Sequence, residues 1–300
     1  MNIAHIGNTA GIASILSERQ LAAGLYKEAR VYVFDDVTFK LFGGELIEWN
    51  ARSRIRRMLA HSAFFHDLKK YDVWHYHYPY AGLKGNLEER KEGKKYIKHY
   101  HGDDLRGKYE DDFCLVSTPD LLQYAPNGVW LPTPLNLEEI DALTPANKVE
   151  NGKIRLAHHP YYKVYKRENY YEEGFQALDN NKCEIVEIAN LPHKEALQAI
   201  ANCDIVIGKI LPDVGWFGKF TLEGMAVGKP VICYVSDELY ERYRPPVYRT
   251  TKETFANDLC NLINDSSEQQ KLSRAGRDYI RQNHDVANIV LKLEEYYQRV

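Results

Sequence analysis

The stretch from Gly208 to Val235 constrains the fold more than any other part of this chain. It leaves an apolar run at Asp204–Gly208 and passes through a loop punctuated by Gly208, Gly215 and Gly218. It then becomes a helix of small residues, is stopped by Gly228-Lys229-Pro230, and enters a second apolar run, Val231 to Val235. Strand, glycine loop, helix and strand in that order form the unit with which α/β proteins bind anionic groups. With the helix starting near Thr221, the N–H groups of Thr221 to Gly224 have no partner within it and are open to a phosphate. Glu223 falls in the same turn, where a carboxylate is favoured by the helix dipole.

The rest of the chain repeats that grammar. Strands are expected at Asn2–Gly7, Arg30–Phe34, Asp72–His77, Tyr96–Tyr100, Phe113–Ser117 and Val129–Leu131, with helices at Ile12–Gly24 and Asn50–Lys70. The segment 132–153, with three prolines and Gly152, reads as a linker carrying a short helix and places a domain boundary near residue 150. The alternation then restarts with strands at 154–157, 183–188, 204–208 and 231–235, helices at 168–178 and 193–202, and three helical stretches to the C-terminus. Strands alternating with helices in both halves predict an α/β protein of two doubly wound parallel sheets, with ligands in the crevice between the strand C-termini. The expected division is residues 1–150, residues 151–280, and a C-terminal helix over 281–300 that packs back on the first domain.

Three hundred residues suit two such domains. A formal net charge of −3 gives no support for bulk nucleic-acid binding, and no apolar run reaches the ~20 residues that span a bilayer. The five cysteines show no CxxC spacing and lie mostly in or beside apolar runs, so they read as free thiols of a cytoplasmic protein. Asn50–Lys70 carries Arg52, Arg54, Arg56, Arg57, Lys69 and Lys70 against one acid, Asp67, with Leu59, Phe64 and Phe65 as apolar bulk. Its readings are a solvated outer face or a peripheral contact with anionic lipid at the inner membrane face.

Several polar residues gather at predicted strand ends. Gly7-Asn8-Thr9-Ala10-Gly11 is a small-residue βα turn without the full GxGxxG spacing; Gly11 would let a phosphate or sugar approach the backbone. His75 and His77 alternate along a strand and share a face, but no third metal ligand is evident, so a cleft-lining role for His77 is preferred. The loop His101-Gly102-Asp103-Asp104-Leu105-Arg106 places His101, Asp104 and Arg106 at another strand end. In the second half, Lys163, Lys166 and Arg167 fall on the edge that also holds Glu223.

These residues resemble the motifs of retaining glycosyltransferases of family four, which have the GT-B fold. Phe217-Gly218 with Leu222-Glu223-Gly224-Met225-Ala226-Val227-Gly228-Lys229-Pro230-Val231-Ile232 is similar to that family's donor-binding motif. His101 to Arg106 looks like its HG-(S/D)-D-L-R loop, and Ser117 to Leu122 with Leu131-Pro132 like its VSTPDLL…LPNP stretch. Lys163-x-x-Lys166 stands where the family has an Arg-x-x-Lys clamp, and Ala275-Gly276-Arg277 with His284-Asp285 matches its ending.

The resemblance implies a transfer of sugar from a UDP- or GDP-linked donor to a glycan or lipid-linked hydroxyl acceptor, with no cofactor and no metal. Glu223 would bond the ribose hydroxyls, and amides around Gly218, Thr221 and Leu222 would meet the distal phosphate. Lys163 and Lys166 would neutralise the departing diphosphate, Gly11 would approach the donor or acceptor, and His101 would face the sugar. The first glutamate of the family's E-x7-E motif falls at Gly215, as in short members with a Gly-Trp-Phe-Gly loop, leaving Asp213 as its substitute. Lys163 in place of arginine keeps the charge but loses the bidentate fork. Two other readings stay open: a nucleotide-sugar 2-epimerase on the same fold, and a non-catalytic nucleotide-sugar-binding protein.

Overall fold

The computed structural model describes the chain except for residues 35–42, 78–80, 144–151 and 161–169. Lys163, Lys166 and Arg167, together with the predicted boundary near residue 150, lie outside the described residues. The chain forms two compact units, Met1–Leu135 with Asp285–Val300, and Asn136–His284.

The first unit is built on seven parallel strands: β1 (Asn2–Ile6), β2 (Glu28–Phe34), β3 (Glu45–Ile47), β4 (Val73–Tyr76), β5 (Lys95–Tyr100), β6 (Cys114–Val116) and β7 (Val129–Trp130). Their order is β3-β2-β1-β4-β5-β6-β7, so the connections reverse direction between β1 and β4. That reversal opens a crevice at the carboxyl ends of the two strands, the place where such sheets take ligands. The central strands are buried on both sides, as parallel sheets covered by helices require. One face packs against α2 (Arg54–Leu68) and α3 (Ala81–Arg90) through Tyr32, Phe64, Leu68, Trp74 and Leu87. The other packs against α1 (Ile12–Ala22), with Ile3, Leu16, Val73 and Ile97 in its core. The last helix of the chain, Val286–Tyr297, belongs to this second core through Ile289, Val290, Leu293 and Tyr297.

The second unit starts with the short helix α4 (Leu137–Asp141) and has five parallel strands: β8 (Ile154–His158), β9 (Cys183–Glu187), β10 (Ile205–Ile207), β11 (Val231–Cys233) and β12 (Tyr248–Arg249). The order β12-β11-β10-β8-β9 reverses between β8 and β10, which is the flavodoxin-like arrangement. Its helices are α5 (Glu172–Gln176), α6 (His193–Ala201), α7 (Lys219–Ala226), α8 (Asp237–Tyr243), α9 (Phe255–Asn264) and α10 (Ser266–Asn283). The helix Val286–Tyr297, α11, completes the chain. Four helices therefore follow β11 where three helical stretches are expected from sequence. Short edge strands carry too little periodicity to announce themselves, and β3 and β12 are cases of this.

Several helix starts are set by side chains that satisfy open amides. Ser53 Oγ accepts from Arg56 N–H, Ser236 Oγ from Leu239 N–H, Asp265 Oδ1 from Glu268 N–H and Asp285 Oδ1 from Ala287 N–H. Two glycines let α7 lie directly on the sheet. A Cβ at Gly224 would stand 2.9 Å from Val206 Cγ2, and one at Gly208 would stand 2.4 Å from Thr221 Oγ1 and 2.8 Å from Cys233 Cβ.

Candidate functional sites of the two units

In the second unit, the crevice at the β8/β10 reversal holds a small pocket. It is lined by His159 beyond β8, Gly208 and Lys209 beyond β10, Gly218, Phe220 and Thr221 at the start of α7, and Tyr171. The Tyr171 hydroxyl braces the strand end, donating to Gly208 C=O at 3.2 Å and accepting from Ile210 N–H at 3.3 Å. No side chain caps α7, whose N-cap is Gly218.

The helix begins at Lys219, two residues before the position read from sequence. Thr221 and Leu222 N–H are consequently already bonded to Gly218 C=O, and the amides that precede the first intrahelical bond are those of Lys219 and Phe220. The hydroxyl of Thr221, a fully buried residue, has no hydrogen-bond partner among the described residues. A buried hydroxyl without a partner costs about 1–3 kcal/mol.

Glu223 lies one turn further in and is 7% exposed. Burial alone would raise its pKa. Lys219, 3.6 Å away, and His193 Nε2, 2.7 Å away, more than offset burial and hold the carboxyl below its ordinary range. Both contacts fall on Oε1. The site therefore presents an ionised carboxylate fixed by two partners. Sequence reasoning named neither one: Lys219 was legible from its i, i+4 spacing to Glu223, whereas His193, 30 positions away, was not.

Gly215 has φ +75°, a backbone conformation that side-chain-bearing residues rarely adopt, and a Cβ there would meet Ser236 Oγ at 3.2 Å. The loop is thus shaped for glycine at this point. Trp216 and Phe217 stack on one another at 4.4 Å between ring centroids, and Trp216 meets Tyr243 edge-on, so the Gly-Trp-Phe-Gly segment is an aromatic packing element. Asp213 sits exposed on the preceding turn.

In the first unit, the sheet end at the β1/β4 reversal carries a cluster of buried histidines, and His77, expected from sequence to line a cleft, is fully buried within it. The register pairs His5 with His75 and His99 with Leu115, and the period of two adds His77 and then His101 and Ser117 to the same face. His75 and His77 stack at 4.1 Å, as their alternation predicts.

The ring protons of this cluster follow from its partners. Gln20 Nε2 donates to Glu294 Oε1 at 3.4 Å, so Gln20 Oε1 accepts from His5 Nε2–H at 2.8 Å. His5 Nδ1 then accepts from His77 Nε2–H (3.1 Å), and His77 Nδ1 from His101 Nε2–H (3.0 Å). His101 Nδ1 accepts from the Ser117 hydroxyl (2.6 Å), which in turn accepts from His99 Nε2–H (3.0 Å). His99 Nδ1 accepts from His75 Nε2–H (3.1 Å), and His75 Nδ1 from the Tyr297 hydroxyl (2.6 Å). One direction of donation satisfies every link with all five imidazoles as neutral Nε2–H tautomers. Burial lowers the His5 pKa to about 4 and that of His101 to about 3. His75, His77 and His99 are driven well below the usual range, first by burial and then by the neighbouring rings.

The other predicted polar residues at this edge hold the loop together. Asp104 accepts from His101 N–H (2.9 Å) and Gly102 N–H (2.6 Å). Burial raises its pKa, with those two amides opposing the rise. Arg106 forks onto the buried Asp120 with Nε at 2.9 Å and Nη2 at 2.8 Å. His101 likewise has both ring nitrogens engaged, so a sugar hydroxyl would have to replace Ser117 or His77 there. In the turn after β1, Gly7 and Gly11 both have positive φ, and Asn8 bonds Ser14 at the start of α1.

No protein-family model and no curated relative matches the chain. Solved structures do. HepE from Anabaena, in complex with UDP-glucose, aligns over 100% of both chains with a TM-score of 0.72 at 13% identity. A glycosyltransferase from Rickettsia africae covers 99% of this chain and 98% of its own with a TM-score of 0.61 at 15% identity. The lipopolysaccharide outer core galactosyltransferase WaaB covers 100% of both with a TM-score of 0.60 at 14% identity. The fold is the GT-B pair of Rossmann-like domains.

Proposed function

We propose that this GT-B protein is a glycosyltransferase that moves a sugar from a nucleoside-diphosphate sugar to a hydroxyl acceptor with retention of configuration. The observation that carries the reading is the ionised Glu223 carboxylate, held by Lys219 and His193 on α7, the helix whose first residues line the β8/β10 pocket. Glu223 would accept from the ribose hydroxyls, while the Lys219 and Phe220 amides and the Thr221 hydroxyl meet the distal phosphate. The Lys163/Lys166 pair is assigned to the leaving diphosphate and Gly11 to the opposite end of the substrates. Uridine is the favoured base, because HepE was solved with UDP and UDP-glucose and MnaA from S. aureus with UDP. The favoured acceptor is a glycan or lipid-linked hydroxyl.

Calorimetric titration with UDP, GDP, ADP and CMP tests the nucleotide end, and UDP should bind the wild-type chain. Glu223→Gln should weaken that binding about 10-fold or more, the loss of charge-assisted hydrogen bonds at a buried site, with an unchanged far-UV spectrum. Binding by no nucleotide, or equal binding by the variant, removes the reading. One observation favours a second reading, a protein that binds nucleotide sugars without turning them over: the motif position for a sugar-binding glutamate is Gly215, in a conformation reserved for glycine. Tight UDP-sugar binding with neither transfer nor donor hydrolysis would select it.

A further inference from the structure

One ring nitrogen from each of His77, His99 and His101 lies within 4.8 Å of the other two, and His5, His75 and His77 form a second such triplet. We propose that His77, His99 and His101 form a binding site for a divalent late first-row transition-metal ion of the zinc class. The proposal does not depend on the nucleotide-sugar reading.

Four features support it. Imidazole nitrogen is the ligand type that suits zinc, nickel and copper. His99 lies in β5, and His77 and His101 directly follow the adjacent strands β4 and β5 on the same face, so the sheet ends set their spacing. His77 Nδ1 and His101 Nε2 are 3.0 Å apart, close to the spacing of about 3.3 Å that two zinc-bound nitrogens at ~2.05 Å adopt in a tetrahedron. Outer partners also exist: Ser117 Oγ contacts both His99 Nε2 and His101 Nδ1, and His77 Nε2–H donates to His5. Such partners orient ligand rings and raise their basicity.

The proton inventory closes without a co-reactant. His77 Nδ1 already carries a lone pair in the resting tautomer pattern. The metal displaces the proton that His101 Nε2 shares with His77 Nδ1; that proton moves to His101 Nδ1, where Ser117 Oγ accepts it as the hydroxyl hydrogen turns away, and the third ligand is the lone pair of His99 Nδ1, which gives up the hydrogen bond it accepts from His75 Nε2–H. His77 and His99 are fully buried, but His101 is partly exposed and opens the triplet to solvent. The fourth, water-bound position of the ion would lie on that side. Among the described residues the triplet of the β1 end, with His5 and His75, is fully buried, which favours His101's triplet as the one a metal reaches.

The test is titration of the chelator-treated full chain with CoCl2, read by visible absorption, followed by competition with ZnCl2. One Co2+ with intense tetrahedral bands, displaced by Zn2+, is expected. His77→Gln and His101→Gln should abolish the bands, Ser117→Ala should weaken Co2+ binding about 10- to 100-fold, and His5→Gln should retain them. Absence of the bands in the wild-type chain, or their survival in His101→Gln, overturns the proposal. A readout on the wild-type chain guards against variants that fail to fold: bound Zn2+ should shield His101 from acylation by diethylpyrocarbonate. Modification of His101 at the same rate with and without saturating Zn2+ overturns the proposal as well.

Discussion

Glu223 and Gly215 show how differently two residues eight positions apart are determined. Glu223 acts through its carboxylate, and its ionisation is fixed by Lys219 on its own helix and His193 on another. Gly215 acts through its backbone, because a positive φ and the proximity of Ser236 disfavour a side chain. Gly208 belongs to the second kind. Gly208→Ala would push a methyl group into Thr221 Oγ1 and Cys233 Cβ, lifting the start of α7 off the sheet. It should destabilise the second unit by about 1–3 kcal/mol, the usual cost of overpacking, as measured by urea denaturation. An unchanged midpoint would show that α7 is not seated on β10 as described. The glycine punctuation was visible in the sequence, whereas its reason, the approach of a particular threonine, was not.

At the scale of elements, α2 departs from an ordinary amphipathic helix. Phe64 and Leu68 enter the core, while Ile55, Met58 and Leu59 are 67%, 63% and 61% exposed among Arg54, Arg56 and Arg57. Basic residues interleaved with exposed apolar ones fit a helix lying on an anionic lipid surface. Replacing Arg54, Arg56 and Arg57 with glutamate should remove binding to phosphatidylglycerol vesicles in a sedimentation assay, since each basic residue at such a surface contributes about 1 kcal/mol. Equal sedimentation of the variant and wild type would exclude this face. No helix among the described residues is long and apolar enough to cross a membrane.

For the molecule as a whole, the histidine cluster predicts how stability follows pH. A histidine whose folded pKa is depressed binds fewer protons folded than unfolded between the two values, so stability falls as pH drops through that interval. For His5 the interval runs from the unfolded value near 6.5 to about 4, and its full effect is about 3 kcal/mol. His75, His77, His99 and His101 act in the same direction. The first unit should therefore lose stability steeply between pH 6.5 and 4, with the loss levelling off below the folded pKa values. His5→Gln should flatten the slope in denaturation experiments run at a series of pH values, and a wild-type midpoint constant from pH 7 to 5 would contradict the neutral cluster.

The sequence by itself determined the architecture and the strand–loop–helix segment proposed as the nucleotide end of the site. Strand and helix periods are local, and Leu222 to Pro230 is a contiguous segment that reads as a helix closed by Gly228 and Pro230. The tertiary structure decided what depends on pairing between distant strands. Alternation put His75 and His77 on one face but supplied no third ring. Strand order and register brought His5, His99 and His101 beside them, from 22 to 72 positions away along the chain. It likewise turned Asp104 and Arg106 inward to hold their own loop, and it set His193 against Glu223. Backbone hydrogen bonds fix register to a single residue, and a side chain's partners across a parallel sheet follow from that register rather than from any local pattern.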